Sequence, residues 1–216
     1  MIKHSKEYLE GLTPYEGYEL LVEGNERFIN NLKLHHLELI NLTREGQHPF
    51  AVILSCMDSR TSVELLFDQG LGDLFSIRIA GNIVNNDILA SIEYALKYVG
   101  TKVLVVLGHT ACGAIRSAKA GVTDGQHTDL LQRIKPSISK ALLNGDNDYL
   151  FSDHAAYANV ENSLEEILSG SEIVKTMFEA GQIGIVGGVY NVEDGRVDFF
   201  KNLTGNKQEQ LELQNK

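Results

Sequence analysis

The chain has 216 residues, a formal net charge of −10 and 43 % apolar residues. That length suits one α/β domain with a sizeable buried core, and the acidic balance leaves no general electrostatic footprint for nucleic acid or anionic lipid. No apolar run is long enough to span a bilayer, and the opening "MIKHSKEYLEGLTPYEGYELL" has no apolar stretch of the kind a secretory signal needs, so the expected location is cytoplasmic.

After a polar leader, "YELLVEGNERFINNLK" spaces its apolar residues as a helix does, and "LKLHHLELINL" extends or follows it. Pro49 marks a break. "FAVILS" is a continuous apolar run rich in β-formers, as expected of a strand buried on both faces. A short helix is predicted near "SVELLFDQG", ending at Gly70. "DLFSIRIAG" reads as a second strand, "NDILASIEYALKYVG" as an amphipathic helix closed by Gly100, and "KVLVVLG" as a third strand. "CGAIRSAKAG" makes a short helix stopped by Gly121, and residues 124–180 read as mostly helical around the polar loop "NGDNDY". "GQIGIVGGVYNVEDGRVDFF" supplies a strand, a turn at Glu193-Asp194-Gly195 and a final strand. Its glycines match neither a dinucleotide fingerprint nor a P-loop and are better explained by close backbone packing. Strands separated by helices imply right-handed crossovers and a mostly parallel central sheet flanked by helices. Residues 1–216 form a single domain in this reading, with about 1–45 as an N-terminal helical arm.

In such a sheet, sites form where strands end and helices begin. Cys56 follows the first strand, and His109 follows the third within "VLGHTACGA". Cys112 comes three residues later, at a helix start where Thr110 is the expected N-cap and exposed N–H groups favour a thiolate. These are the chain's two cysteines, and in a reducing compartment such a pair is better explained by metal binding or reactivity than by a disulfide. Two thiolates and one imidazole suit zinc, and three protein ligands leave a position for water, as in a catalytic site. If the backbone stays extended beyond Cys56, period-two alternation puts Cys56, Asp58 and Arg60 on one side. Arg60 then favours an ionised Asp58, which can orient the water. His4, His35, His36, His48, His127 and His154 lack comparable partners and read as solvated or structural.

"CMDSR" followed by "GHTACGA" resembles the paired C-x-D-x-R and H-x-x-C signature of the β-class carbonic anhydrases. The resemblance runs from "EGNERF" through "RIAGNIV" and "SIEYAL" to the terminal strands. It implies one zinc on Cys56, His109 and Cys112, and reversible hydration of carbon dioxide to bicarbonate and a proton by zinc hydroxide that an Asp58–Arg60 dyad orients. Within the plant-like subgroup it implies a substrate pocket of Gln47, Phe75, Ala80, Tyr94 and Gly113. It also implies a homodimer or homotetramer in which Gln47, Phe75 and Tyr94 face the partner's zinc. Arg78 and Tyr190 match two members of another subgroup's bicarbonate pocket, but Ile53 stands where that pocket has tryptophan, so no cooperative bicarbonate inhibition is expected. The competing readings are a carbonyl sulfide or carbon disulfide hydrolase on the same scaffold and a non-catalytic zinc protein with Asp58 as fourth ligand.

Two thiolates and a neutral imidazole cancel the charge of zinc, so bound water should be less acidic than the roughly neutral value of a three-histidine site. Turnover is therefore expected to rise on the alkaline side of neutrality. A buffer-corrected pH profile checks this, and a flat profile contradicts it.

Overall fold

The structure is a computed structural model that describes residues 6–32, 43–143 and 148–204. Five strands form one sheet: β1 (Ala51–Ser55), β2 (Leu74–Arg78), β3 (Val103–His109), β4 (Gly184–Tyr190) and β5 (Val197–Thr204), in the order β2-β1-β3-β4-β5. The first four run parallel, and β5 returns antiparallel to β4. Every residue of β1, β3 and β4 is buried, which accounts for the apolar runs that lead up to Ser55, His109 and Tyr190 at their ends. The edge strand β2 is only partly covered.

One face of the sheet carries α4 (Asn86–Glu93), α5 (Gly113–Lys119), α6 (Gly125–Leu143), α7 (Asp148–Gly170) and α8 (Glu172–Glu179). Val52, Leu54, Leu104 and Val106 point into that layer with Ile92, Ile134 and Val160. Ala51, Ile53, Val105 and Leu107 point the other way, toward Leu21 and Phe67. That second layer holds α1 (Lys6–Gly11), α2 (Pro14–Ile29) and α3 (Val63–Leu66). The alternation along β1 and β3 thus builds two cores from one pair of strands. Among the described residues no helix is long and apolar enough to cross a membrane.

Three departures from the sequence expectation have local causes. A short helix, α1, lies within the expected polar leader. The next helix begins at Pro14, four residues before the predicted Tyr18, because Thr13 and Glu16 close a capping box: Glu16 N–H donates to Thr13 Oγ1 (3.2 Å), and Thr13 N–H to Glu16 Oε2 (2.9 Å). The helix predicted over 86–100 changes at Tyr94 into a π-helical turn, Tyr94–Val99, before Gly100 stops it at φ 91°. The predicted helical continuation through 33–42 and most of the "NGDNDY" loop lie outside the described residues.

The second layer is fastened by close approach. A Cβ added to Gly24 on α2 would sit 1.7 Å from the Phe67 carbonyl oxygen, which is backbone and has little room to yield. Nearby, buried Asn25 donates to the Leu66 and Gly195 carbonyls (3.0 and 3.1 Å) and accepts from Val197 N–H (3.0 Å), joining α2 to the turn before β5. Helix propensity favours alanine over glycine by about 1 kcal/mol, but overpacking costs about 1–3 kcal/mol, more still against backbone. Gly24→Ala should therefore lower stability in a denaturant titration. Gly11→Ala, with no neighbour within 4 Å of the new carbon, should be neutral or slightly stabilising.

Candidate metal and active site

β1 and β3 are neighbours in register, with Ser55 opposite Leu107, so the residues that follow them emerge side by side at one edge. Cys56, His109 and Cys112 meet there, all buried, with their ligand atoms within 4.8 Å of one another. His109 Nδ1 lies 2.9 Å from the Thr110 carbonyl, so this nitrogen carries the proton. That tautomer leaves the Nε2 lone pair free, and Nε2 is buried without a hydrogen-bond partner. An unsatisfied imidazole lone pair facing two sulfurs is the donor set a zinc ion takes, and Thr110 fixes the ring as outer hydrogen bonds fix metal-binding histidines.

The two thiols are inequivalent. The Cys56 thiol is pulled down, first by its hydrogen bond with Cys112 and against burial, with the Gly81 N–H adding to the effect. The Cys112 thiol is pushed up by Cys56 and by burial, while the backbone N–H groups of Ile115 and Ala114 oppose the rise. A metal ion binds cysteine as thiolate, so binding here displaces thiol protons. Gly81 N–H lies 3.3 Å from Cys56 Sγ. It belongs to the turn Ala80–Asn82, where Gly81 has φ 67° and a Cβ would meet Ile134 Cδ1 at 2.6 Å. Between the other two ligands the chain bends through Ala111 at φ 54°. Thr110 is not the helix cap expected from the sequence. Cys112 occupies that position, and Thr110 Oγ1 instead accepts from Val192 N–H (3.0 Å), tying the ligand loop to the end of β4.

Asp58 and Arg60 do meet, but not through an extended strand. β1 ends at Ser55, and a turn follows in which Thr61 N–H donates to the Asp58 carbonyl (3.0 Å). Arg60 Nε and Nη2 grip Asp58 Oδ1 and Oδ2 at 2.9 and 2.8 Å, and Arg60 N–H adds a bond to Oδ1 (3.0 Å). The Arg60 guanidinium thereby holds the Asp58 carboxyl well below the usual carboxylate range. Arg78 is spent differently, donating to the Cys56 carbonyl (3.2 Å) and the Asp58 carbonyl (2.5 Å). Ile53 is buried in the second core, and Tyr190 pairs with His109 across β3 and β4.

The remaining predicted residues fall into two groups. Ala80 opens the turn that contacts Cys56, and Gly113 begins α5 directly after Cys112. Gln47 and Tyr94 line an open cavity of about 420 Å³ with Tyr98 and Lys102, in which none of the three metal-ligating side chains takes part. Phe75 meets Tyr94 edge to face with ring centroids 6.3 Å apart, and Tyr94 stacks on Tyr98. This aromatic group is left uncovered, Tyr94 being 55 % and Tyr98 71 % exposed.

The sequence reading missed what supports the ligand loops. Asn159 Nδ2 donates to the Gly81 carbonyl (2.7 Å), Ser163 Oγ to the Asn82 carbonyl (2.9 Å), and Asp153 Oδ1 accepts from Ala111 N–H (3.2 Å). The Gly81-Asn82 pair is a turn signal in its own right, but nothing local marks its partners on α7.

Residues 51–197 match the carbonic anhydrase family. The chain is 34 % identical over 207 residues to carbonic anhydrase 2 of Mycobacterium tuberculosis, covering 92 % of this chain and 98 % of that relative. Its structure is similar to that of a Coccomyxa β-carbonic anhydrase in complex with acetazolamide, with a TM-score of 0.73, 26 % identity, and 88 % of this chain and 90 % of that one covered. It also shares its fold with a tetrameric β-carbonic anhydrase of Sordaria macrospora, at a TM-score of 0.71 and 22 % identity, covering 85 % of this chain and 96 % of that one. The chain belongs to the β-class carbonic anhydrases. It is an enzyme of that class, with a Cys56–His109–Cys112 group able to hold its one zinc ion.

Metal analysis should find about one zinc per chain, and Cys56→Ser should abolish most of that content because the remaining donors leave the tetrahedral set incomplete. Zinc at a hundredfold its dissociation constant adds about 2.7 kcal/mol to the folded state, so stripping it should visibly lower the melting temperature. Full zinc content in Cys56→Ser contradicts the assignment.

Proposed function

We propose that the chain hydrates carbon dioxide reversibly to bicarbonate and a proton, with Asp58 and Arg60 as its catalytic dyad. The observation that carries this reading is the buried Cys-His-Cys set with an orphaned imidazole nitrogen, two residues in sequence from a carboxylate gripped on both oxygens by arginine. A zinc ion held there supplies Lewis acidity that brings the ionisation of water toward the physiological range. The chain's own residues do the rest. Asp58, ionised through its pairing with Arg60, is an acceptor only, and the lone pairs Arg60 leaves free receive an O–H and aim the oxygen at the substrate carbon. Arg60 also holds the carboxylate back from becoming a permanent ligand, which argues against a non-catalytic zinc protein.

Carbon dioxide is small and apolar, and the proposed pocket of the plant-like kind combines Phe75, Ala80, Tyr94 and Gly113 with one amide donor, Gln47. Gln47, Phe75 and Tyr94 serve the partner's site in a homodimer or homotetramer, the whole chain 1–216 acting as one domain. The uncovered Tyr94–Tyr98 surface supports this reading, since exposed aromatic patches mark interfaces. The net charge of −10 argues against nucleic acid or membrane partners, and two unpaired cysteines fit the cytoplasm.

Stopped-flow assay of the zinc protein should show turnover of carbon dioxide, with carbonyl sulfide, run separately, far slower; the reverse order assigns the scaffold to the other hydrolase. Arg60→Ala should lose about 10- to 100-fold in activity while keeping its zinc. Normal turnover in that variant removes the dyad from the mechanism. Light scattering should give a mass of two or four chains of 23.9 kDa, and Tyr98→Glu should release monomers with little activity. An active monomer contradicts the shared pocket.

A further inference from the structure

The turn that faces Cys56 and the loop that carries His109 and Cys112 are both irregular. Gly81, whose N–H meets Cys56 Sγ, has φ 67°, its neighbour Asn82 has φ 41°, and Ala111, between His109 and Cys112, has φ 54°. A non-glycine residue in the left-handed region persists only when its surroundings hold it there. The surroundings of both loops come from α7. At one point Asp153 Oδ1 accepts the Ala111 N–H (3.2 Å). A turn and a half further along, Asn159 donates Nδ2 to the Gly81 carbonyl (2.7 Å) and accepts from Ser137 Oγ (3.1 Å), which fixes its amide. Ser163 completes the row on the Asn82 carbonyl (2.9 Å). Asn159 and Ser163 are buried, so these bonds form without competition from water. The helix approaches because β3 carries Gly108, where a Cβ would meet Val160 Cγ2 at 2.8 Å.

We propose that Asp153 and Asn159 are positioning residues of the metal centre: α7 holds the Cys56-facing turn and the His109–Cys112 loop in the mutual geometry that zinc requires. Neither residue touches the ligand atoms. Asn159 acts through the conformation of Gly81: by holding its carbonyl it fixes the left-handed backbone that points the Gly81 N–H at Cys56 Sγ, and Asp153 acts through Ala111, keeping the turn that lets His109 and Cys112 face one ion. The proposal rests on the metal-centre reading, and zinc retention by the unmodified protein is its control.

The test is the rate at which zinc passes from the folded holoenzyme to a chromogenic chelator, with the thiolate-to-metal charge-transfer band of the cobalt-substituted protein as the second readout. Asp153→Ala should release zinc about tenfold faster, at the low end of the effect of outer hydrogen-bond partners. Asp153→Asn, which keeps an oxygen acceptor for the Ala111 N–H, should release it at nearly the unmodified rate. Asn159→Ala should shift the cobalt band, because the hydrogen bond to Cys56 Sγ is no longer aimed. Should Asn159→Ala fail to fold, the Asp153 pair decides alone. Unmodified release rates in both alanine variants overturn the proposal, as does equal acceleration in Asp153→Ala and Asp153→Asn, which would assign the effect to charge. An unmodified protein that retains no zinc defeats the metal-centre reading on which the proposal stands.

Discussion

The molecule depends on one adjacency, that of β1 and β3 in a parallel sheet. A parallel pair must be joined by a crossover, and here the crossover consumes β2 and α4 before the chain returns beside β1. The reward is that both strands end at the same edge, so a thiolate from one and an imidazole with a second thiolate from the other are buried together. Burying three such donors together is costly, because an imidazole nitrogen is left without a hydrogen-bond partner and two sulfurs are held close in an apolar interior. The apolar strands beneath supply the stability that tolerates this cost, and metal binding removes it.

Around that centre the cations are divided by what they can reach. Arg60 presents its planar fork to both oxygens of Asp58, while Arg78 donates to the main-chain carbonyls of Cys56 and Asp58. The first fixes a side chain and the second fixes the loop that bears it. A lysine at position 60 would keep the charge and lose the two-point grip. The Arg60 side chain is 47 % exposed, so the pair adds little to folding stability, and its value lies in orientation.

Much of this was legible in the sequence. Continuous apolar runs marked β1 and β3, the H-x-x-C spacing marked two ligands, and the only other cysteine had to supply the third. The dyad was legible as a pair but not as a geometry, because the end of β1 is set by Thr61 and Arg78 capturing carbonyls rather than by any break in pattern. Thr110 looked like a cap, since threonine before a helix usually is one, yet Val192 from a distant turn claims its hydroxyl. The support from α7 was illegible for the same reason: Asp153 and Asn159 lie 42 and 78 residues from the groups they hold, and polar residues in a helix look alike until the tertiary fold assigns them partners.

Local strain and long-range support therefore belong together in this structure. The left-handed residues at Gly81, Asn82 and Ala111 aim the ligands, and the buried bonds from α7 keep them there. Two sulfurs, from Cys56 after β1 and Cys112 before α5, and the imidazole of His109 are the donors for a single zinc. X-ray absorption at the zinc edge counts those donors directly in the protein as purified. Two sulfur scatterers and one imidazole per zinc are expected. A spectrum with fewer than two sulfurs, or with two or more imidazoles, would contradict it.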